Sequence, residues 1–313
     1  MPLSVSIITP SYNQGRFLER TIRSVLAQRG ADPAFPGPFE YLVMDGASGD
    51  QSVEILKRYS AELQWVSEKD RGQADAINKG LARTSGEIVG WLNSDDIFYP
   101  GAIAAAAAFL AGHPEVDVVY GNGNHIDEQD RVIEPYPTED WDFERLKQRC
   151  FLCQPAVFFR RRVVERFGPL GVWHYALDYE YWLRLGKSGA RFARIGTVLA
   201  GSRLHAETKT LGARVQVHAE TNDMLRRLFG RVPDRWLYNY AHAVLDSRGV
   251  PRQGRGFAMR VALLAWWAAL RWNHRISPGM LWESGRWIGG AVVGAVRKSD
   301  AEARRRGERC GED

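Results

Sequence analysis

The chain has 313 residues, 45% hydrophobic and 25% charged, which excludes a disordered or fibrous protein and leaves room for about two domains. Its net charge of +5 is unevenly placed: 12 of the 42 basic and 6 of the 37 acidic residues fall in 251–313, leaving 30 and 31 in the body. Basicity confined to a tryptophan-rich tail argues against nucleic acid as a partner and for an anionic surface such as a membrane.

In chain order, Val5–Thr9 is a β-branched apolar run that predicts a strand, and Arg16–Gln28 has helical spacing through Phe17, Ile22, Val25 and Leu26. Tyr41–Met44, Gln64–Ser67, Glu87–Leu92 and Asp117–Tyr120 predict further strands. Gln73–Arg83 and the alanine-rich Gly101–Leu110 predict helices between them. Short strands alternating with helices of about ten residues imply an α/β fold, a Rossmann-like and mostly parallel sheet flanked by helices. Ligands of such sheets sit beyond the carboxyl ends of the strands. This chain places Thr9-Pro10-Ser11, Asp45-Gly46 and Asp95-Asp96 there. Past 121 the pattern is less regular: Gln154–Arg160 predicts a strand, Ala176–Lys187 a helix, Arg191–Leu204 a strand, and 212–245 helix. A Gly/Pro-rich stretch at 249–254 predicts a boundary near 250. The expected organisation is an α/β domain over 1–210, a helical continuation over 211–250 and a basic helical tail over 251–313.

Three cysteines cannot frame a disulfide scaffold, so a reducing compartment is expected. MPLSVSIITPSYNQ has no basic n-region or long apolar run, so no signal peptide is expected. No run reaches 18 uninterrupted apolar residues, so no ordinary membrane span is expected.

Asp95 and Asp96 are adjacent acids at the end of a buried strand. Carboxylates so placed repel unless a cation sits beside them, and Mg²⁺ characteristically takes one or two carboxylates plus phosphate oxygens. The structural alternative is a helix N-cap at Asp96. Asp45 can accept hydrogen bonds from a base or ribose, or simply end a βα turn. Thr9–Gln14 offers backbone groups and the Tyr12 ring to a base. The segment Asp70–Gly80 opens a helix densely furnished with polar groups, among them Gln73 and Asn78, and Arg71 can face phosphates there. The alternative is an ordinary amphipathic helix, since Ala74, Ile77 and Leu81 face the core. Asp178 starts an aromatic, apolar helix, so it is a candidate general base or a charge placed to suit the helix N-terminus. His205 is a candidate metal or phosphate ligand. Cys150 and Cys153 have CxxC spacing without a second pair, so neither zinc nor redox chemistry is read from them.

Taken together, SIITPSYNQ (6–14), DGASGDQS (45–52), EKDRGQADAINKG (68–80), GWLNSDD (90–96), YGN (120–122), CQPAVFFRR (153–161), LDYEYWLRL (177–185) and SRLHAETKT (202–210) resemble the family 2 glycosyltransferases. The resemblance covers about residues 3–210 and is to the bacterial branch that builds O-antigen, capsule and other surface polysaccharides. It implies a GT-A fold, a nucleotide-diphosphate sugar donor, Mg²⁺ or Mn²⁺, and inversion at the anomeric carbon. Carried over residue by residue, it implies that Thr9, Pro10, Tyr12 and Asp45 hold the nucleoside; Arg71, Gln73 and Asn78, at the polar helix start, are further candidates on the nucleotide. Asp95 would touch the ribose or the ion, Asp96 would bind the ion with His205 as a further candidate ligand, and Asp178 would deprotonate the acceptor hydroxyl. Two departures stand out. Leu177 replaces the Glu of the family's Glu-Asp pair, with Glu180 one helical step off, and Asn93 replaces the first acid of the DxD-like motif. Gln154, Glu180, Arg184, Arg203 and His205 are candidates for diphosphate or acceptor contacts. A nucleotidylyltransferase is the first rival, but it needs a basic, glycine-rich N-terminal loop, which TPSYNQG is not. A non-catalytic sugar-nucleotide-binding subunit is the second, and the four acids argue against it.

In the tail, Val261–Leu270 is ten residues long, too short to span a bilayer. Helical spacing puts Arg260, Arg271, His274 and Arg275 in one sector and Leu263, Trp266 and Leu270 in another. A second apolar run, 287–296, lies between Arg286 and Arg297-Lys298. Trp and Arg at apolar edges suit a bilayer interface. The expectation is a cytoplasmic protein peripherally bound to the inner face of the plasma membrane, with a lipid-linked or saccharide acceptor. The alternative is a hairpin packed on the catalytic domain or on a homodimer partner.

Overall fold

All seven residues of β1 (Val5–Ser11) are buried, as a strand with neighbours on both edges and helices on its faces requires. The computed structural model describes residues 3–29, 39–206, 208, 212–252 and 256–287, which divide into two units, Met1–Gly212 and Ala213–Asp313.

In the first unit, β1 is followed by α1 (Gly15–Leu26), β2 (Phe39–Asp45), α2 (Ser52–Arg58), β3 (Gln64–Ser67), α3 (Gln73–Arg83), β4 (Ile88–Trp91), β5 (Ile97–Phe98), α4 (Ala102–Gly112) and β6 (Val118–Ile126). Then come β7 (Val132–Pro135), α5 (Phe143–Gln148), a single 3₁₀ turn at Gln154–Ala156, β8 (Val157–Arg160), α6 (Arg162–Phe167), α7 (Leu177–Lys187) and β9 (Phe192–Arg203). The described strands form one sheet in the order β3-β2-β1-β4-β8-β6-β9-β5, with β7 paired to β6. The first four strands are parallel, and their ends are level: Ser11 stands opposite Asp45, and Asp45 opposite Ser67. β8 pairs antiparallel with both β4 and β6 and closes the parallel run.

The core follows from helix patterning. Phe17, Leu18, Ile22 and Val25 of α1 are buried, and so are Ala102, Ala106 and Ala107 of α4, whose small side chains suit a helix lying close on a sheet. Gly80 serves the same purpose in α3: a Cβ there would come within 2.6 Å of Ile8. Structure also appears where the periodicity gives no signal. α2, α5, α6, β5 and β7 span two to seven residues, too short for a period to register. β6 continues six residues beyond Tyr120, through two glycines.

The second unit contains α8 (Arg214–Phe229), α9 (Asp234–Ser247), α10 (Phe257–Asn273) and a helix over 278–287. The helical stretch expected over 212–245 is two helices, because Gly230 adopts a left-handed conformation (φ 68°) and Pro233 follows, a helix stop followed by a restart. α9 packs against α8 and α10. α10 buries Val261, Ala262, Ala265, Ala268, Ala269 and Trp272. Its exposed face is Met259, Leu263, Trp267 and Leu270. Trp266, expected on that face, instead turns inward and donates from Nε1 to Ser284 Oγ at 3.3 Å. No described helix is long and apolar enough to cross a membrane. Residues 288–296 of the second apolar run, with Arg297-Lys298, lie outside the described residues, as do 207, 209 and 210 of SRLHAETKT and 253–254 of the boundary stretch.

Candidate functional site

The level strand ends open into a cavity of about 960 Å³. Pro10, Ser11 and Tyr12 line it from the end of β1, Gly46 and Ala47 from the end of β2, and Gln73 from the start of α3. Asn93, Ser94, Asp95 and Asp96 contribute from the turn after β4, Gln154 from the 3₁₀ turn, Asp178 from the first turn of α7, and Arg203 from the end of β9.

The turns after β1 and β2 are fastened together. Asn13 N donates to Ser48 Oγ and Gly49 N to Asn13 Oδ1, both at 2.8 Å. Asn13 and Ala47 both have positive φ, a local strain of the kind that tightly packed surroundings sustain at sites. Gly46 lies close under both side chains: a Cβ would fall 2.7 Å from Asp70 Oδ2 and 3.2 Å from the Tyr12 ring, so either would have to shift. Tyr12 itself is 62% exposed, an open ring at the cavity wall.

The acid turn is held by a chain of amides. Gln73 Nε2 donates to Asn93 Oδ1 at 2.7 Å, and Asn93 Nδ2 donates to Asp96 Oδ2 at 3.2 Å and to Gln154 Oε1 at 2.9 Å. Gln154 Nε2 closes the chain on Trp91 O at 3.0 Å. The amide at 93 therefore has a physical reason: it donates to Asp96, which a carboxylate could not do, and it spares the turn a third negative charge. Asp96 is 4% exposed, and its Oδ1 accepts from Arg203 N at 2.8 Å. Burial, with the charge of Asp95 beside it, pushes the Asp96 carboxyl well above the usual carboxylate range. That cost is what a bound cation would offset, so the donor set fits a hard divalent ion. Among the described residues no three His, Cys, Asp or Glu side chains form a metal cage. The protein thus offers two carboxylates, the number Mg²⁺ takes when phosphate and water complete its shell.

Asp178 reaches this cavity through packing of its helix. Trp182 of α7 stacks on Trp91 of β4, with ring centroids 5.4 Å apart and planes 12° from parallel. Burial, followed by the charge of Asp96, pushes the Cys153 thiol well above its ordinary value.

The chain matches the family model for Glycosyl transferase family 2 over residues 6–168. It belongs to glycosyl transferase family 2, and is a glycosyltransferase. An uncharacterised glycosyltransferase of Mycobacterium tuberculosis is 36% identical over 185 residues, 58% of this chain and 68% of that one. A PGL/p-HBAD biosynthesis glycosyltransferase of Mycobacterium bovis is 28% identical over 207 residues, 63% and 75% of the two chains. S. aureus TarS residues 1–349, in complex with UDP-GlcNAc, superimposes with a TM-score of 0.58 at 15% identity, covering 86% of this chain and 82% of TarS. The mannosyltransferase PcManGT of Pyrobaculum calidifontis, in complex with GDP-Man and Mn²⁺, gives 0.57 at 19% identity over 95% and 87%. The transferase has the GT-A fold.

Of the residues singled out in the sequence, the structure gathers Pro10, Tyr12, Gln73, Asp95, Asp96, Gln154, Asp178 and Arg203 around the transferase cavity. Others lie behind or away from it. Thr9 is buried against Tyr41, Oγ1 to hydroxyl 3.2 Å. Asp45 is spent on bracing its own turn: Oδ1 accepts from Ser48 Oγ at 2.5 Å, and Oδ2 from Ser48 N at 3.0 Å and Ser67 Oγ at 2.6 Å. Arg71, expected to face phosphates, folds back on Asp75 at 2.8 Å with its side chain 86% exposed. Asn78 donates to Leu170 O and accepts from Leu170 N, both at 3.0 Å, so it holds a loop. Glu180 and Arg184 pair with each other at 2.7 Å, one helical turn apart. His205 has both ring nitrogens engaged, with Asp95 Oδ2 3.1 Å from Nε2 and Arg16 Nη2 2.9 Å from Nδ1. Arg16 can only donate, so the proton sits on Nε2 and the ring holds Asp95 rather than offering an open ligand position.

Sequence reasoning missed Gln14, Lys69, His125, Tyr136, His174 and Tyr175, all of which line the cavity. Gln14 Oε1 and His125 Nδ1 are buried there without a protein partner. His174 and Tyr175 stand just before Asp178, and that adjacency was the signal available.

Proposed function

We propose that the transferase moves a sugar, with inversion, from a nucleotide-diphosphate sugar to an acceptor hydroxyl in the synthesis of a bacterial surface glycan. The observation that carries this reading is the convergence of Asp95, Asp96 and Asp178 on one cavity from turns more than 80 residues apart. The donor class is supported by the UDP-GlcNAc and GDP-Man of the two structural neighbours, and an ion by the Mn²⁺ of one of them. The surface-glycan assignment rests on the motif resemblance to that branch of the family.

In this reading the nucleoside lies against Pro10, Ser11 and Tyr12, over the turn that Asp45 braces. Asp96 and Asp95 hold Mg²⁺ or Mn²⁺, whose contribution when bound is to neutralise charge on the departing diphosphate. Arg203 adds fixed positive charge: its Nη2 is buried, has no protein partner, and belongs to a side chain lining the cavity. Asp178 takes the proton from the acceptor hydroxyl as that oxygen bonds to the anomeric carbon and the carbon–oxygen bond to the diphosphate breaks. One displacement reverses the configuration.

The second unit would hold the enzyme on the inner face of the plasma membrane. Support comes from the exposed Met259, Leu263, Trp267 and Leu270 on α10, a helix without a single acidic residue, with Arg260 and Arg271 beside them. The function is tested by incubating the enzyme with UDP-, GDP- and dTDP-sugars, Mn²⁺ or Mg²⁺, and candidate acceptors. Acceptor-dependent release of nucleoside diphosphate supports the reading; release of pyrophosphate instead indicates a nucleotidylyltransferase.

A further inference from the structure

The segment between α6 and α7, residues 168–176, has a stem fixed at almost every residue. Arg184 Nη1 donates to Phe167 O at 2.6 Å and Nη2 to Pro169 O at 2.7 Å. Asn78 holds both backbone groups of Leu170. Glu180 fixes the Arg184 guanidinium from Oε1 at 2.7 Å, and its Oε2 lies 3.1 Å from where a Cβ on Gly171 would stand. The Tyr181 hydroxyl reaches Gly168 O at 3.4 Å. Three of these anchors, Asn78, Glu180 and Arg184, looked from the sequence like ligand contacts. Here they serve a loop instead.

Beyond the stem, Val172 is 94% exposed at the tip, and the loop returns to the cavity as His174 and Tyr175. Their rings are 4.5 Å apart and nearly perpendicular, at 86°. Both line the cavity three and four residues before Asp178. A ring that lines the same cavity as a base, carried on an anchored loop, is how a site fixes the orientation of a small polar molecule. The C–H face of a pyranose matches an aromatic ring, and its hydroxyls match an imidazole edge.

We propose that the loop 168–176 is the acceptor platform, with Tyr175 and His174 binding a pyranose unit whose hydroxyl is presented to Asp178. Asn78, Glu180 and Arg184 are positioning residues that act through the loop. This inference rests on the transferase reading above and narrows its acceptor to a glycan, whether free or attached to a lipid.

The test uses the full chain, a donor that supports turnover, and a panel of p-nitrophenyl pyranosides as acceptors. Tyr175→Ala should raise the acceptor KM at least tenfold while the donor KM stays within twofold, and Tyr175→Phe should restore most of the loss. Arg184→Gln should shift the acceptor KM in the same direction, again sparing the donor KM. An acceptor KM for Tyr175→Ala within twofold of the parent overturns the platform. A parent enzyme that transfers to a long-chain alkyl phosphate or alcohol but to no pyranoside overturns the acceptor class alone. A parent that turns over no nucleotide sugar overturns the transferase mechanism beneath it, and the platform with it.

Discussion

The backbone amide of Arg203 donates to Asp96 Oδ1 at 2.8 Å, across 107 residues of chain. The same residue reaches back with its side chain, Nε to Asp95 O at 2.6 Å and Nη1 to Asp127 O at 2.7 Å, and pairs with Asp130. The end of β9 thus holds the acid turn with a fully buried guanidinium. Arg203→Met keeps the amide bond to Asp96 but removes the side-chain donor to the carbonyls of Asp95 and Asp127, while Asp130 keeps Arg20. It is expected to destabilise the protein by about 1–3 kcal/mol, the cost of leaving buried acceptors without a donor, read from the urea midpoint.

Asn93 gives a second expectation. Asn93→Asp removes the donor to Asp96 and Gln154 and adds a charge beside a carboxyl that burial already disfavours in its ionised form. The melting temperature without divalent ions should fall, corresponding to about 1–3 kcal/mol. Added Mn²⁺ should recover part of that loss, because the ion would bind three acids in place of two. Melts with and without Mn²⁺ measure both effects.

The strand-helix alternation and the strand-end acids were legible in the sequence because periodicity and a carboxyl-end position are both local signals. What each polar residue does was not. Arg71, Asn78, Glu180 and Arg184 look alike in sequence to Gln73 and Gln154, yet the first four meet Asp75, Leu170 and one another while the last two join the amide chain at Asn93. Which partner a side chain meets depends on where a distant loop returns. Asp178 stood out because it opens a helix rich in buried aromatic and apolar side chains. The aromatic pair before it was signalled only by its adjacency to Asp178, since rings on a helix approach look like core until their exposure is known.

The helical unit carries a pH expectation. His218 is mostly buried, and burial, with the Arg214 charge next in weight, lowers its pKa from 6.5 to about 4. The unfolded chain therefore binds the proton more readily than the folded one. Stability is fully present above about pH 6.5 and is lost as the pH falls through 6.5 towards 4. The loss should be about 2 kcal/mol after allowance for solvent screening. His218→Leu should flatten the melting temperature against pH over that window.

Membrane binding can be separated from catalysis. The full chain should float with vesicles containing anionic phospholipid and less so with neutral ones. Leu263→Glu with Trp267→Glu, both on the exposed face of α10, should abolish flotation. Flotation of the double variant equal to that of the parent would remove this face from the membrane contact.

The most direct measurement is sugar transfer by Asp178→Asn, with donor affinity determined alongside by titration in the presence of Mn²⁺. Transfer should fall by about a thousandfold, as expected when the general base is lost, while the donor binds as before. Transfer at close to the parent rate would show that the proton leaves by another route and that the three acids do not form one catalytic site.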